Sequence, residues 1–219
     1  EHRRKHPSKP FIESESLYEN VLTLECNGRR RATPAMLRRV AYLTLQNGGC
    51  GYTYGAQGMW HIQWDEPDLS QPDLGFGSCE PWYKVIDYPG ADQMTYFREF
   101  YEAVGWHRLS PLDPSCFASD TQGAVVVTFS DDDLQALFMP SVSADEDMTT
   151  IVAYYAEANR YQLGLRTLVH PRYKAQWFFP ATGTYELISD DVRPQDGVWF
   201  APVKPCGEDA VLLLTAQDG

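Results

Sequence analysis

Apolar and polar positions follow two different rhythms along the chain, and the rhythm changes near residue 110. Before that point strand-like and helix-like stretches alternate. Phe11 and Ile12 make a short apolar strand after Pro10. Met36, Leu37, Val40, Ala41, Leu43 and Leu45 then recur at the spacing of one helix face. Thr33 suits the N-cap of that helix and Pro34 its first position. Asn47-Gly48-Gly49 stops it, because Asn and Gly tolerate the left-handed conformation of a C-terminal cap. Residues 50–54 read as a short buried strand, and residues 55–87 as a long loop rich in Trp, Pro, Gly and acids. A second helix starts near Pro89, carries Met94, Phe97, Tyr101 and Val104 on one face, and closes at Gly105. The order strand, helix, strand, helix fits the terminal units of a (β/α) barrel or the edge of a wound sheet.

The second half reads as all-β. Short apolar runs stand at 124–129, 136–139, 151–155, 173–179, 185–188, 198–201 and 210–215. Turn residues separate them, and strands punctuated at this spacing suggest an antiparallel β-sandwich. Residues 153–163 fit either a strand or a helix. The junction Ser110-Pro111-Leu112-Asp113-Pro114 is a short stiff connector, so the two halves should pack together. The expected fold is therefore α/β plus all-β. Residues 1–112 form the α/β part and residues 113–219 the sandwich.

Charge narrows the classes of partner. With 18 basic and 30 acidic residues the chain carries −12, which argues against nucleic acid or an anionic membrane. No apolar run approaches the roughly 18 residues of a membrane span. Arg29-Arg30-Arg31 reads as a solvated turn before the first helix. So do the acidic groups Asp131-Asp132-Asp133, Asp145-Glu146-Asp147 and Asp190-Asp191, which lack the alternating pattern of a calcium loop. The five cysteines and five histidines show no metal spacing, so no metal or cofactor is expected. The first residues are not a signal peptide and include no initiating Met, so any targeting signal would lie upstream. Extracellular, periplasmic and cytoplasmic locations all stay open.

The chemistry concentrates where the first strand ends. Glu13, Glu15 and Glu19 fall within seven residues there. The carboxyl end of a strand is where α/β enzymes place catalytic groups. Spacing alone makes Glu15 a solvated loop carboxylate and Glu13 its hydrogen-bonding neighbour. Tyr52, Tyr54, Gln57, Trp60 and His61 end or follow the next strand. Tyr52 and Tyr54 also suit packing, and His61 an ordinary loop.

Three segments carry a family resemblance. KPFIESESLYEN (9–20) is similar to a Pro-led strand that ends in Gly-Glu-Pro and then Tyr-Glu, with Ser14 and Ser16 in place of Gly and Pro. RRVAYLTLQNGGCGYTYGAQGMW (38–60) is similar to a helix and strand ending in a Tyr-Gly-x-x-Gly-x-Trp loop. DYPGADQMTYFREFYEAVGWHRLSP (87–111) is similar to a last barrel helix and its exit. Together they resemble the apiosidase-like glycoside hydrolases, in which a TIM-type (β/α)8 barrel precedes a small β-sandwich named for collagen binding.

The resemblance implies that this chain is the carboxyl-terminal part of such an enzyme, with the seventh and eighth strands in residues 9–60. Six earlier β/α units would come from the same gene product or from a partner chain. Glycoside cleavage needs two carboxyl groups. The strand-seven group, the nucleophile of a retaining enzyme, falls on Glu15. The acid/base would come from the absent fourth strand, so the chain alone is expected to be inactive. Glu13, Glu19, Tyr54, Gln57, Trp60 and His61 become substrate-binding candidates, because aromatic faces stack on sugars and Gln or His donates to hydroxyls. The substrate would be a plant-type or complex glycan. The alternative is a carbohydrate- or protein-binding module whose Glu15 site has decayed through the Ser14 and Ser16 changes.

Overall fold

Thr33 opens the first helix as its sequence requires. Its hydroxyl accepts the Met36 N–H at 3.4 Å, and Pro34 stands at the first helical position of α1 (Pro34–Gln46). Asn47 ends it by donating its side-chain amide to Leu43 O at 2.8 Å, and Gly48 turns away with φ 83°. A computed structural model describes residues 9–25, 28–66, 76–112, 117–119, 140–157, 163–166, 168–196 and 198–217. The expected strands at 124–129 and 136–139, and Asp131-Asp132-Asp133, lie outside the described residues.

The chain on either side of α1 pairs in parallel. Cys50 N–H donates to Phe11 O, Glu13 N–H to Gly51 O, and Thr53 N–H to Glu13 O, all at 2.9–3.0 Å. A second parallel bridge joins Glu19 to Ala56. With α1 as crossover this is a β–α–β unit. Among the described residues no further strand pairs beside it, so the expected barrel portion is not shown by this pair.

Between the first parallel segment and α1 stands a hairpin, β1 (Leu22–Glu25) and β2 (Gly28–Arg31). It corrects the reading of Arg29–Arg31 as a turn. Arg31 explains why the hairpin forms. Its guanidinium donates to Asn20 O and Ser78 O at 2.7 Å each, tying β2 to both neighbouring loops. The long loop contains a helical turn, α2 (Trp82–Val85), and α3 (Pro89–Ala103) follows. Gly105 then takes φ 67°, which a glycine adopts without a Cβ penalty, and a 3-10 turn leads on.

Next come β3 (Ser110–Pro111), β4 (Phe117–Ser119), β5 (Ser141–Ala144), β6 (Thr150–Tyr155) and β7 (Leu163–Leu165). The chain finishes with β8 (Tyr173–Phe179), β9 (Thr184–Val192), β10 (Trp199–Phe200) and β11 (Ala210–Ala216). All pair antiparallel, in a six-stranded order β3-β5-β6-β11-β8-β9 and a three-stranded order β10-β7-β4. The architecture is thus mixed α/β with mostly antiparallel sheets. Residues 153–155, left open between strand and helix, belong to β6.

β6 and β11 are continuous apolar runs because both faces of their sheet are covered. Ile151, Ala153 and Tyr155 pack with Leu163, Leu165 and Trp199. Val152 and Tyr154 turn the other way, onto Tyr42 of α1 and Phe100 and Tyr101 of α3. Tyr42 stacks on Tyr154 with ring centroids 4.9 Å apart, and Phe100 on Phe178 at 4.6 Å. The two halves therefore share one apolar layer.

Among the described residues the large sheet ends in β3 on one side and in β9 on the other. β3 ends in Pro111, which has no N–H to offer. β9 exposes Glu186, Asp190 and Asp191. Asp190-Asp191 is therefore strand, not turn. Asp145-Glu146-Asp147 does lie at a turn, but Asp145 is buried and accepts the Thr150 N–H at 2.9 Å. Among the described residues no helix is long and apolar enough to cross a membrane.

Candidate functional site

The parallel pair delivers its acids to different places. Glu13 spends both backbone groups on the ladder to residues 51 and 53. Beyond it the chain turns, and Glu15 projects exposed at the strand end. Glu15 lines a cavity of about 470 Å³ together with Ser16, Tyr18, Val21, Trp60 and Phe76. Its carboxylate accepts the Tyr18 hydroxyl at 3.0 Å. That bond, aided by burial and the carboxylate charge, raises the Tyr18 phenol above its usual range.

Trp60 lines the same cavity and is 54% exposed. Its indole N–H donates to Gln57 Oε1 at 3.0 Å. Gln57 is 2% exposed and donates its own amide to Gly77 O at 3.1 Å. The glutamine therefore orients the tryptophan and holds the returning loop. His61 meets the Trp60 ring edge-on at 4.5 Å, and its Nε2 lies 3.1 Å from Cys79 Sγ. Phe76 closes the other side, 6.2 Å from Trp60 between centroids. The cavity thus combines aromatic side chains with one carboxylate, a lining suited to a ring with apolar faces and hydroxyl edges.

Glu19 is placed apart from that lining, at 4% exposure. It accepts the Tyr54 hydroxyl at 2.6 Å and the Gly90 N–H at 3.0 Å, at the start of α3. Burial pushes the Glu19 carboxyl up, against the lowering effects of Tyr54, Gly90 and Arg38. Burial and the bond to Glu19 together hold the Tyr54 phenol far above its usual value. Tyr54 also lines a second cavity, of about 330 Å³, with Tyr52, Met94, Phe97 and Arg98. Next to Glu19, Asn20 donates to Tyr88 Oη at 2.9 Å, and Tyr88 donates to Glu80 at 2.7 Å. Burial and the Glu80 bond bring Tyr88 up to about 12.

Of the sequence candidates, Glu15 and Trp60 line the same cavity. Gln57 and His61 stand behind Trp60, Glu19 pairs with Tyr54, and Glu13 holds the strand. Tyr18 and Phe76 line the site and were not singled out from the sequence. An aromatic residue three positions beyond a strand-end acid was the available signal for Tyr18. Phe76 had none, since only the fold of the loop returns it.

Residues 1–108 match the family model "Apiosidase-like, catalytic domain", and residues 135–215 match "Putative collagen-binding domain of a collagenase". No curated protein matches the chain. Among solved structures it is similar to one titled as a glycoside hydrolase, at 20% identity and a TM-score of 0.73. It is also similar to a glycoside hydrolase family 5 protein from Bacteroides vulgatus, at 19% identity and a TM-score of 0.70. Each alignment covers 97% of this chain but only 44% and 42% of the other, so the chain spans under half their length.

Proposed function

We propose, on the premise that residues 1–108 belong to the apiosidase-like glycosidase family, that this chain carries the nucleophile side of a retaining glycosidase site. Glu15 is the attacking carboxylate. Its oxygen bonds to the anomeric carbon as the bond to the leaving oxygen breaks, and water then cleaves the glycosyl ester. The observation that carries this reading is the position of Glu15 on a cavity faced by the Trp60 ring. A plant-type or complex glycan supplies the apolar sugar face that such a ring accepts.

The leaving oxygen needs a proton from a second carboxyl group about 5–5.5 Å away in a retaining enzyme. Among the described residues that line the cavity, Glu15 is the one acid. The second group belongs to further β/α units, supplied by the same gene product or a partner chain. Two observations support that assembly. The parallel pair ends without a third strand among the described residues, leaving Ile12 exposed. The matched structures are also more than twice as long as the aligned segment.

The test uses the full-length gene product on aryl glycosides and plant glycans. Glu15→Gln should lose turnover by roughly a thousandfold or more. Glu15→Gly should regain it with azide, which fills the vacated space and yields a glycosyl azide. Unchanged turnover in Glu15→Gln would sink the assignment and leave a glycan- or protein-binding role. The 219-residue chain by itself should hydrolyse none of these substrates.

A further inference from the structure

Tyr18 owes its place to a missing side chain. A Cβ on Gly55 would overlap the Tyr18 ring, so glycine at the end of the second parallel segment makes the seat. The Glu19 N–H donates to Gly55 O at 2.8 Å and holds the two backbones together beside that seat. Trp60 flanks the ring at 6.3 Å between centroids, and Tyr18 also packs against Val21, Ala32 and Leu37. A tyrosine has two rotatable side-chain bonds, so fixing the ring leaves little freedom to its hydroxyl oxygen. That hydroxyl reaches Glu15 at 3.0 Å.

From this geometry we infer that Tyr18 is a positioning residue for Glu15, and that Gly55 and Trp60 set the angle at which the carboxylate faces the cavity. The inference rests on the glycosidase reading above and deepens it. Glu15 projects from a solvent-exposed turn, where a free glutamate would sample several rotamers. One donor on a seated ring restricts them. The hydroxyl takes one carboxylate oxygen and leaves the other for the anomeric carbon. Preorganisation of this kind lowers the barrier to attack without adding affinity for the ground-state sugar.

Two measurements test it. In the 219-residue chain, tyrosine labelled with ¹³C at Cζ gives a signal assigned to Tyr18 by its loss in Tyr18→Phe. Its ionisation midpoint should fall in Glu15→Gln, since the bond and charge that raise it are reduced. An unchanged midpoint overturns the contact. In the full-length enzyme, Tyr18→Phe should lower kcat roughly tenfold, the worth of a hydrogen bond to a charged group, with KM within about twofold. Gly55→Ala should do the same by dislodging the ring, and adding it to Tyr18→Phe should cost far less than the product of the two losses. A folded Tyr18→Phe enzyme with parental kcat overturns the positioning role alone. A parent enzyme without turnover overturns the glycosidase reading and the positioning role with it, while the NMR midpoint still reports the contact.

Discussion

Arg38 and Asp209 lie 171 positions apart and form a bidentate ion pair in the shared interior of the two halves. Arg38 Nε donates to both carboxylate oxygens at 3.0 Å, and Nη2 to Oδ1 at 2.6 Å. The residues are 3% and 1% exposed. Gln93 of α3 accepts from Nη1 at 2.6 Å, and Tyr154 donates to Asp209 at 3.3 Å, so α1, α3 and β6 meet here. Burial alone would lower the Arg38 pKa, and the Asp209 bonds and charge overcome that and leave it raised. Removing one partner strands a buried charge. Asp209→Ala should cost about 3–5 kcal/mol in denaturant unfolding, whereas Arg38→Met with Asp209→Leu should recover much of it. A loss under about 1 kcal/mol for Asp209→Ala would show that the halves hold together without the pair.

Glu19 predicts a pH dependence of the opposite sign to the usual carboxylate. Its folded-state pKa lies above the ordinary 4.5, chiefly through burial. The folded chain therefore binds this proton more tightly than the unfolded chain. Stability from this group is complete below 4.5 and is lost as pH rises through the raised folded value. The Tm of wild type minus that of Glu19→Gln, followed across this range, should fall with rising pH. A difference that is flat or rises would refute the account. Gly90→Ala should also disturb the group, because a Cβ there meets the Glu19 carboxylate.

Trp60 and Gln57 should separate in a binding assay. In full-length Glu15→Gln protein, Trp60→Ala removes the stacking face and should weaken glycan affinity about tenfold by calorimetry. Gln57→Leu leaves the ring but frees its N–H, so its loss should be smaller and accompanied by a shift in tryptophan emission. Equal affinities in all three proteins would remove Trp60 from the site.

Gly183 marks a second contact between the halves. It takes φ 69° in the β8–β9 turn, and an added Cβ would stand 2.9 Å from the Tyr96 ring of α3. Gly183→Ala should lose about 1–3 kcal/mol in chemical denaturation, from backbone strain and ring displacement together. Tyr96→Ala in the same background should return only the steric part.

The sequence made some of this fold legible and hid the rest for identifiable reasons. α1 and α3 were readable because Thr33, Pro34, Asn47, Pro89 and Gly105 punctuate them locally. β6, β8 and β11 were readable as apolar runs. The β1–β2 hairpin was not, since Arg29-Arg30-Arg31 has no apolar alternation and its stability comes from where Arg31 reaches. The extension of β9 through Asp190-Asp191 was hidden too, because an exposed edge needs no apolar residues. In the site, Glu15 was singled out through the family resemblance and Trp60 as an aromatic following the second strand. That Gln57 faces inward, that Glu19 is buried on Tyr54, and that Arg38 lies in the interior all depend on partners dozens of residues away.

The large sheet finishes in Pro111 on one side and in Glu186, Asp190 and Asp191 on the other. Among the described residues, the first margin lacks a donor at Pro111, and the second sets three acids beside exposed Tyr185 and Leu187, so like charge opposes pairing between copies there. Edge-to-edge stacking of copies through this sheet is thereby disfavoured. Ile12, beside the parallel pair of the first half, stays exposed by contrast.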